Sequence, residues 1–312
     1  MGRVIGRWFI TAVPVVLVVS MLTFILASFV PGDPARAILG ASAPPEQVEA
    51  LRQQLGLDQP LPQRYWDWLV AALQGDLGRS IQTRGSVATE LAGRVDVTIS
   101  LIGFGLIIIT LVGVTLGLVS AIKGGWLGRV VDVASLAGLA VPGFWLGLVL
   151  VAAFAVAIPI FPATGFVRLS DSPGGWAASM ALPVITLALT GTAGLAKQTR
   201  SSVMDELGKD YVRMLRARGV SQRRIILLHV CRNAGAPIVT VIGLLFIGLV
   251  GGAVLLETVF VLPGLGSLTV AATRAHDIPV ILGVTLILSI VVVTVNLAVE
   301  ISYALLNPKV RA

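Results

Sequence analysis

The chain has 312 residues, 56% of them hydrophobic and 12% charged, with a formal net charge of +7. A mean hydropathy of +0.92 excludes an ordinary soluble domain, because such a chain finds most of its solvent in lipid. The positive charge does not point to nucleic acid. It gathers at Arg3, Arg7, Lys123 and Arg129, along residues 197–232, and at Lys309 and Arg311, the short connections and ends that the positive-inside rule assigns to the cytoplasm. The sole cysteine, Cys231, cannot close an internal disulfide and says little about compartment.

Residues 8–30 are a first apolar run behind Arg3 and Arg7, with Pro14 inside it. A hydrocarbon core of roughly 30 Å needs about 20 such residues. The run is too long for the h-region of a signal peptide, although Ala35-Arg36-Ala37 has the small residues of a cleavage site. It is therefore expected to be a membrane helix that starts inside. Residues 31–96 differ: charges are mixed, and four prolines stand between Pro44 and Pro62. One helix is expected from Pro45, near N1, through Leu55, and another from Pro62 through Leu73. The second carries Tyr65, Trp66, Trp68 and Leu69 as an aromatic surface. Trp66 and Trp68 suit either the headgroup level or a partner. Residues 75–80 read as a turn, and 31–96 as a small extracytoplasmic insert.

Spans two and three are expected at 97–122 and 130–157, joined by a tight basic connection at Lys123, Gly124, Gly125 and Arg129. Span four covers about 178–196, with Pro183 near its outer end. Span five, about 238–256, carries Gly243, Gly248, Gly251 and Gly252, small residues that let helices approach closely in lipid. Residues 257–277 are expected to be an irregular outer segment and 279–306 to form span six. The fold class is therefore all-α and polytopic, with six transmembrane helices and both termini cytoplasmic. Three regions result: a first helix at 1–30, the insert at 31–96, and a core of five helices at 97–312 with an inner loop at 197–236.

That loop contains the one strongly basic helix-forming stretch, residues 210–237. Asp210 opens a helix through residue 218 that places Tyr211, Met214 and Leu215 near one face, with Arg213 and Arg216 elsewhere. Gly219, after Ala217 and Arg218, stands where a left-handed residue would end the helix, and Ser221 can cap the next one. Arg224 occupies the place a capping box gives to Glu or Gln. The second helix, with Arg223 and Arg224 in its first turn, runs to about residue 233, before Pro237 opens span five. Two short helices at an angle make a charged knob facing the cytoplasm, which suits docking.

Chemistry is harder to find. No G-x-x-x-x-G-K-[ST] loop occurs, since Gly208-Lys209 lacks its upstream glycine, so any ATP would be hydrolysed by another subunit. His229, Cys231 and the distant His276 do not make a metal ligand set. Asp96, Asp132, Glu257 and Glu300 lie beside apolar spans, where a carboxylate is a functional candidate. Their places near the expected span ends favour interfacial or helix-end roles, with Glu257 the most interesting. Residues 217–225 imitate a helix-turn-helix, but anchoring by spans on both sides leaves no recognition helix free to dock on DNA.

Several motifs together resemble one family. They are Pro31-Gly32-Asp33-Pro34, residues 55–61 with Tyr65 and Trp68, residues 75–80, Pro142-Gly143-Phe144-Trp145-Leu146-Gly147 and Thr199-Arg200-Ser201-Ser202. More specific are Asp210-Tyr211-Val212-Arg213 through Gly219, Arg232-Asn233, and Glu257-Thr258-Val259-Phe260 with Pro263-Gly264-Leu265-Gly266. Over nearly its whole length the chain resembles the membrane-spanning permease subunits of binding-protein-dependent ABC importers, of the dipeptide/oligopeptide type and its first ("B") permease. The resemblance implies that the stretch around Gly219 is the coupling helix, or EAA loop, fitting a groove in an ATPase subunit. Arg213, Met214 and Leu215 occupy the positions that give the loop its name, and Cys231-Arg232 replaces a frequent Leu-Pro.

The same resemblance implies a bacterial inner-membrane permease that pairs with a homologous permease and forms half of a translocation path. Two ATP-binding subunits would dock inside, bringing ATP and magnesium; this chain itself would hold no cofactor and catalyse nothing. An extracytoplasmic solute-binding protein would deliver di- or oligopeptides from outside, with Asp33, Glu257, Pro263, Gly264 and Gly266 as candidates for the outer gate. The subgroup also moves nickel, glutathione, oligosaccharides and haem, and a membrane-integral enzyme is the alternative from another class. Docking is implied at Asp210, Tyr211, Arg213, Arg216, Ala217, Gly219, Ser221, Arg223 and Arg224.

Overall fold

Proline and glycine decide where the helices of this chain begin, bend and stop. A computed structural model describes residues 2–29, 33–40 and 42–306. Among them helices are the only regular elements, beside one isolated antiparallel bridge between Arg79 and Ser86. Readings that fall on Pro31, Gly32, Lys309 and Arg311, and on the side chains of Arg3 and Arg7, lie outside the described residues.

The first helix, α1, is Gly2–Ser28 and carries Pro14. The insert follows its proline signals. Pro45 and Pro62 stand in the first turns of α3 (Pro45–Gln54) and α4 (Leu61–Leu73), where a missing N–H costs nothing. A shorter helix that the sequence reading missed, α2 (Pro34–Leu39), is capped by Asp33, whose carboxylate accepts from Ala35 N. The next helix, α5 (Val87–Lys123), begins ten residues before the expected span two. Its 37 residues extend about 55 Å at about 1.5 Å per residue, more than a core of roughly 30 Å requires.

Span three is not one straight helix. It breaks into α6 (Gly125–Ala140) and α7 (Gly143–Val151), bent by 97°. Pro142 explains the break, since it disfavours a helical residue before it, and Val141 is extended at φ −92° and ψ 121°. A π-helical turn, Ala152–Ala157, ends the segment. Helix α8 (Pro173–Leu207) keeps Pro183 inside and is capped by Ser172. The basic loop after α8 supplies α9 (Asp210–Ala217) and α10 (Gln222–Arg224). A π-helical turn, Ile225–Val230, then leads without interruption into α11 (Cys231–Val259). Pro237 therefore lies within α11 and does not separate two helices, as such prolines can in membrane helices where neighbours satisfy the freed carbonyl. The segment expected to be irregular after Glu257 contains α12 (Leu265–Arg274), and α13 (Ile278–Leu306) closes the described chain. Among the described residues five helices are long and apolar enough to cross a membrane, or six if the bent α6–α7 pair counts as one span.

The chain divides into two compact units, one of residues 1–5, 99–262 and 294–312, the other of 6–98 and 263–293. In the first, α5 and α8 approach so closely that one partner at each contact is a glycine. A Cβ on Gly117 would lie 2.5 Å from the carbonyl oxygen of Ala196, and one on Gly191 would lie 2.5 Å from Ile109 Cδ1. Ser135 on α6 donates to the carbonyl of Ala193 at 2.7 Å, and Arg200 pairs with Asp132 at 3.7 Å.

In the second unit Val87 and Leu91 pack with Leu265, Leu268, Ala272, Val280 and Val284. Thr98 Oγ1 accepts from Leu265 N at 2.8 Å. The buried Asp277 carboxylate accepts from Ser80 Oγ at 2.5 Å and Gln82 N at 3.2 Å, fixing the turn of the insert. Helix α4 docks on α1 through Tyr65, which donates to the carbonyl of Leu17 at 3.2 Å and meets Ser20 Oγ at 2.9 Å. Of the two tryptophans on α4, Trp66 is exposed and Trp68 half-buried.

The glycine at the α5–α8 contact gives a direct test. Gly117→Val overlaps a backbone oxygen that no rotamer can move, so it is expected to cost about 1–3 kcal/mol of stability. Gly103→Ala, with no atom within 4 Å of the added carbon, should be neutral or stabilising by about 0.5–1 kcal/mol. Unfolding midpoints in detergent check both; equal midpoints for the two variants would contradict the close approach.

Candidate functional site

The basic loop begins with a helix that the sequence ends at glycine. Gly219 takes φ +76°, a conformation that β-carbon sterics make costly for other residues. Its N–H donates to the carbonyl of Arg216 at 3.0 Å, and that of Val220 to Leu215 at 3.1 Å. These two bonds make a Schellman turn, which satisfies carbonyls that the helix end would leave open. Ser221 occupies the next N-cap position with extended backbone, but its side chain makes no capping bond. The cap expected there is thus only the backbone carbonyl, which accepts from Ile225 N at 3.0 Å.

What holds this elbow is a carboxylate at the end of α8. Glu206 is only 7% exposed. It accepts from Lys209 Nζ and from Tyr211 Oη, the latter at 2.8 Å. Asn233, in the first turn of α11, donates to the same phenol oxygen at 3.3 Å. One residue from α8, one from α9 and one from α11 therefore share a single chain of hydrogen bonds. Burial, and then the Glu206 carboxylate, push the Tyr211 phenol above its ordinary value of 10.0. The sign follows: the contact's stabilisation is complete below the unfolded pKa and is lost only as pH rises through the higher folded value.

The buried residue of α9 is Val212, with Tyr211 and Leu215 half-buried. Met214, expected beside them, points outward instead. Val212 takes the inner place, with Leu215 three residues further on. Ile225, Ile226 and Val230 are buried in the π-helical turn, while Leu227 and Leu228 are exposed. Residues at i, i+1 and i+5 share one side of a helix, which leaves the two leucines at i+2 and i+3 on the other. Asp210, Arg213, Arg216, Ala217, Gly219, Ser221, Arg223 and Arg224 are all exposed. Met214 on α9 is exposed among these arginines, of which Arg213 pairs with Asp210 at 3.4 Å, and Leu227 and Leu228 are exposed on the turn that follows α10.

The outer candidates divide between the two units. Glu257, in α11, is 0% exposed, and its carbonyl accepts from Leu262 N at 2.8 Å. In the other unit Asp33 caps α2 and lies 3.9 Å from Arg52. Pro263 is exposed there, Gly264 caps α12, and Gly266 is buried within it. Of the other carboxylates near spans, Asp96 stands inside α5 and not at its end, because the polar turns from Val87 extend that helix. Asp132 also lies within a helix, paired to Arg200, whereas Glu300 is exposed in α13. Among the described residues no three His, Cys, Asp or Glu side chains gather as metal ligands.

A cavity of about 490 Å³ opens between α7, α8 and α11, with Thr186 and Thr190 as its hydroxyl groups and Gly248 and Gly252 on its far wall. The fold and this loop can be compared with known proteins. The family model described as "Binding-protein-dependent transport system inner membrane component" matches residues 113–312. The model of the corresponding N-terminal membrane component matches residues 1–102. The chain is 42% identical over 301 residues to a protein of Brucella abortus named as a peptide transport system permease, covering 96% of each chain. It is 36% identical over 312 residues to one of Sinorhizobium fredii named as a peptide ABC transporter permease, covering 100% of each. It is also 38% identical over 300 residues to the glutathione transport system permease protein of Escherichia coli, covering 96% of this chain and 95% of that one. With these matches and its membrane-length helices, this multi-pass membrane protein belongs to the binding-protein-dependent transport system inner membrane component family.

Proposed function

We propose that this chain is the permease subunit of an ATP-driven importer of di- and oligopeptides, forming half of the translocation path beside a homologous permease. Two ATPase subunits, which bring ATP and magnesium, dock on the elbow from the cytoplasm, and both termini lie on that side. A solute-binding protein delivers cargo to the outer face. The chain transmits work and catalyses no reaction of its own. The observation that carries this reading is the elbow: exposed arginines and Met214, fixed at its base to Glu206, Tyr211 and Asn233.

A docking knob can pass force only if it does not swivel. The hydrogen bonds at its base join it to α8 and α11, so ATPase closure becomes rocking of those helices, the rigid-body form of alternating access. Methionine and arginine side chains suit a protein interface better than a solvated face. The cavity beside Thr186 and Thr190 is of a size for part of a small peptide. Peptide cargo is supported by the names of the Brucella and Sinorhizobium relatives. Glutathione, itself a peptide, is the second reading, favoured by the Escherichia coli relative.

Gly219→Val tests the elbow itself. A left-handed non-glycine residue costs about 1–2 kcal/mol, and a β-branched one is worse. An added Cβ would meet nothing within 4 Å, so any loss comes from the backbone and not from a clash. We expect the assembled transporter to lose ATP-driven peptide uptake in proteoliposomes while remaining in the membrane, and Gly219→Asn to keep much of it. Normal uptake by a well-expressed Gly219→Val transporter would refute the proposal.

The base has its own test. Tyr211→Phe removes a contact worth about 1 kcal/mol, so amides of residues 209–222 should exchange about five-fold faster. Coupling of ATP hydrolysis to uptake should fall with it. Unchanged exchange would show that the elbow is held by something else.

A further inference from the structure

The insert-bearing unit contains a feature that transport by the elbow does not use. Two cavities lie side by side there, of about 350 and 410 Å³, sharing Pro34, Leu57, Arg64 and Ile278 in their walls. The first is polar, with Asp33, Arg52, Arg64 and His276 around it. The second is mostly apolar and reaches Phe24, Trp68 and Leu282. The polar cavity is also walled by Ala27 and Ser28, which end the apolar run of α1, and by Ile278, which opens that of α13. Two membrane-length helices thus end at its rim, at the level where hydrocarbon gives way to headgroups.

The charges there are incompletely matched. Arg52 is 3.9 Å from Asp33, long for an ion pair, and Asp33 already accepts from Ala35 N at 3.0 Å. Arg64 has no carboxylate partner among the described residues; its guanidinium lies over the Phe24 ring, 5.7 Å from the centroid. It remains a cation at any physiological pH although burial lowers its pKa. Over the two cavities Arg52, Arg64 and Arg79 stand against Asp33 and Asp67, which leaves a single positive charge that one phosphodiester neutralises. Planar guanidinium groups hold phosphate oxygens in pairs, and the neighbouring apolar cavity can take a chain of methylenes out of water.

We infer that this pair of cavities binds one anionic phospholipid, its phosphodiester held by Arg52 and Arg64 and an acyl chain lying against Phe24, Trp68 and Leu282. A bound lipid would join the insert helices α3 and α4 to the ends of α1 and α13, all within one unit. This inference is independent of the cargo and of the ATPase contact, and concerns only the membrane that the protein sits in.

The test uses the full-length chain in its assembly, reconstituted in nanodiscs of mixed phosphatidylglycerol and phosphatidylcholine, then released into detergent for native mass spectrometry. The wild type should retain one phosphatidylglycerol per chain in preference to phosphatidylcholine, and excess inorganic phosphate or an acidic peptide should not displace it. Arg64→Gln and Arg52→Gln should each lower occupancy about tenfold, as expected for loss of a charge-assisted hydrogen bond; Arg64→Lys should keep part of it. Elution as a single species shows that each variant is folded, and the two glutamine variants serve as independent readings. Equal retention in all variants, equal retention of both lipids, or displacement by phosphate or peptide would each overturn the inference.

Discussion

A buried carboxylate at the end of a long helix is the constraint on which the basic elbow of this protein depends. Glu206 is enclosed, and a buried polar group without hydrogen-bond partners is strongly unfavourable. Lys209 and Tyr211 supply them, and both belong to the turn and helix that follow. The requirement to satisfy one side chain thereby sets the angle at which α9 leaves α8. Asn233 extends the requirement to α11 through the same phenol. Gly219 then makes the return bend possible, because its left-handed backbone closes α9 in the space available. The knob is held from its base and leaves its outer surface free.

The helices that carry this base are themselves packed without slack. At Gly117 and Gly191 backbone and side chain meet where no β-carbon fits, the way helices associate when lipid offers no hydrophobic drive between them. Ser135 adds a bond to the backbone of α8, and Arg200 with Asp132 adds a charge pair between α6 and α8. A helix so enclosed moves with its neighbours or not at all. That is the property a force-transmitting element needs.

Much of this architecture was legible in the sequence, and the omissions have physical causes. Apolar runs of membrane length, Pro45 and Pro62 in first turns, and Gly219 as a stop are local signals, and the structure follows them. The break at Pro142 was missed because the apolar run continues through it, and hydropathy carries no record of direction. Pro237 misled in the opposite sense: proline is a weak stop inside a membrane helix, and α11 passes through it. Contacts between distant segments were beyond reach without coordinates. Ser80 and Asp277 are 197 residues apart, and neither is unusual in its own surroundings. The Glu206–Tyr211 pair lies within a few residues, but helical spacing places Tyr211 on an apolar face and does not reveal its phenol as a donor.

The claim that matters most is that the elbow moves as one body with α8. Spin labels at the exposed Met204→Cys and Met214→Cys, in a Cys231→Ser background, report the distance across the Glu206 contact in the assembled transporter. One rigid body gives one narrow distance distribution, the same without nucleotide and with ATP trapped. A broad distribution, or a shift of several ångströms between the two states, would show that the elbow turns on its own and would contradict it.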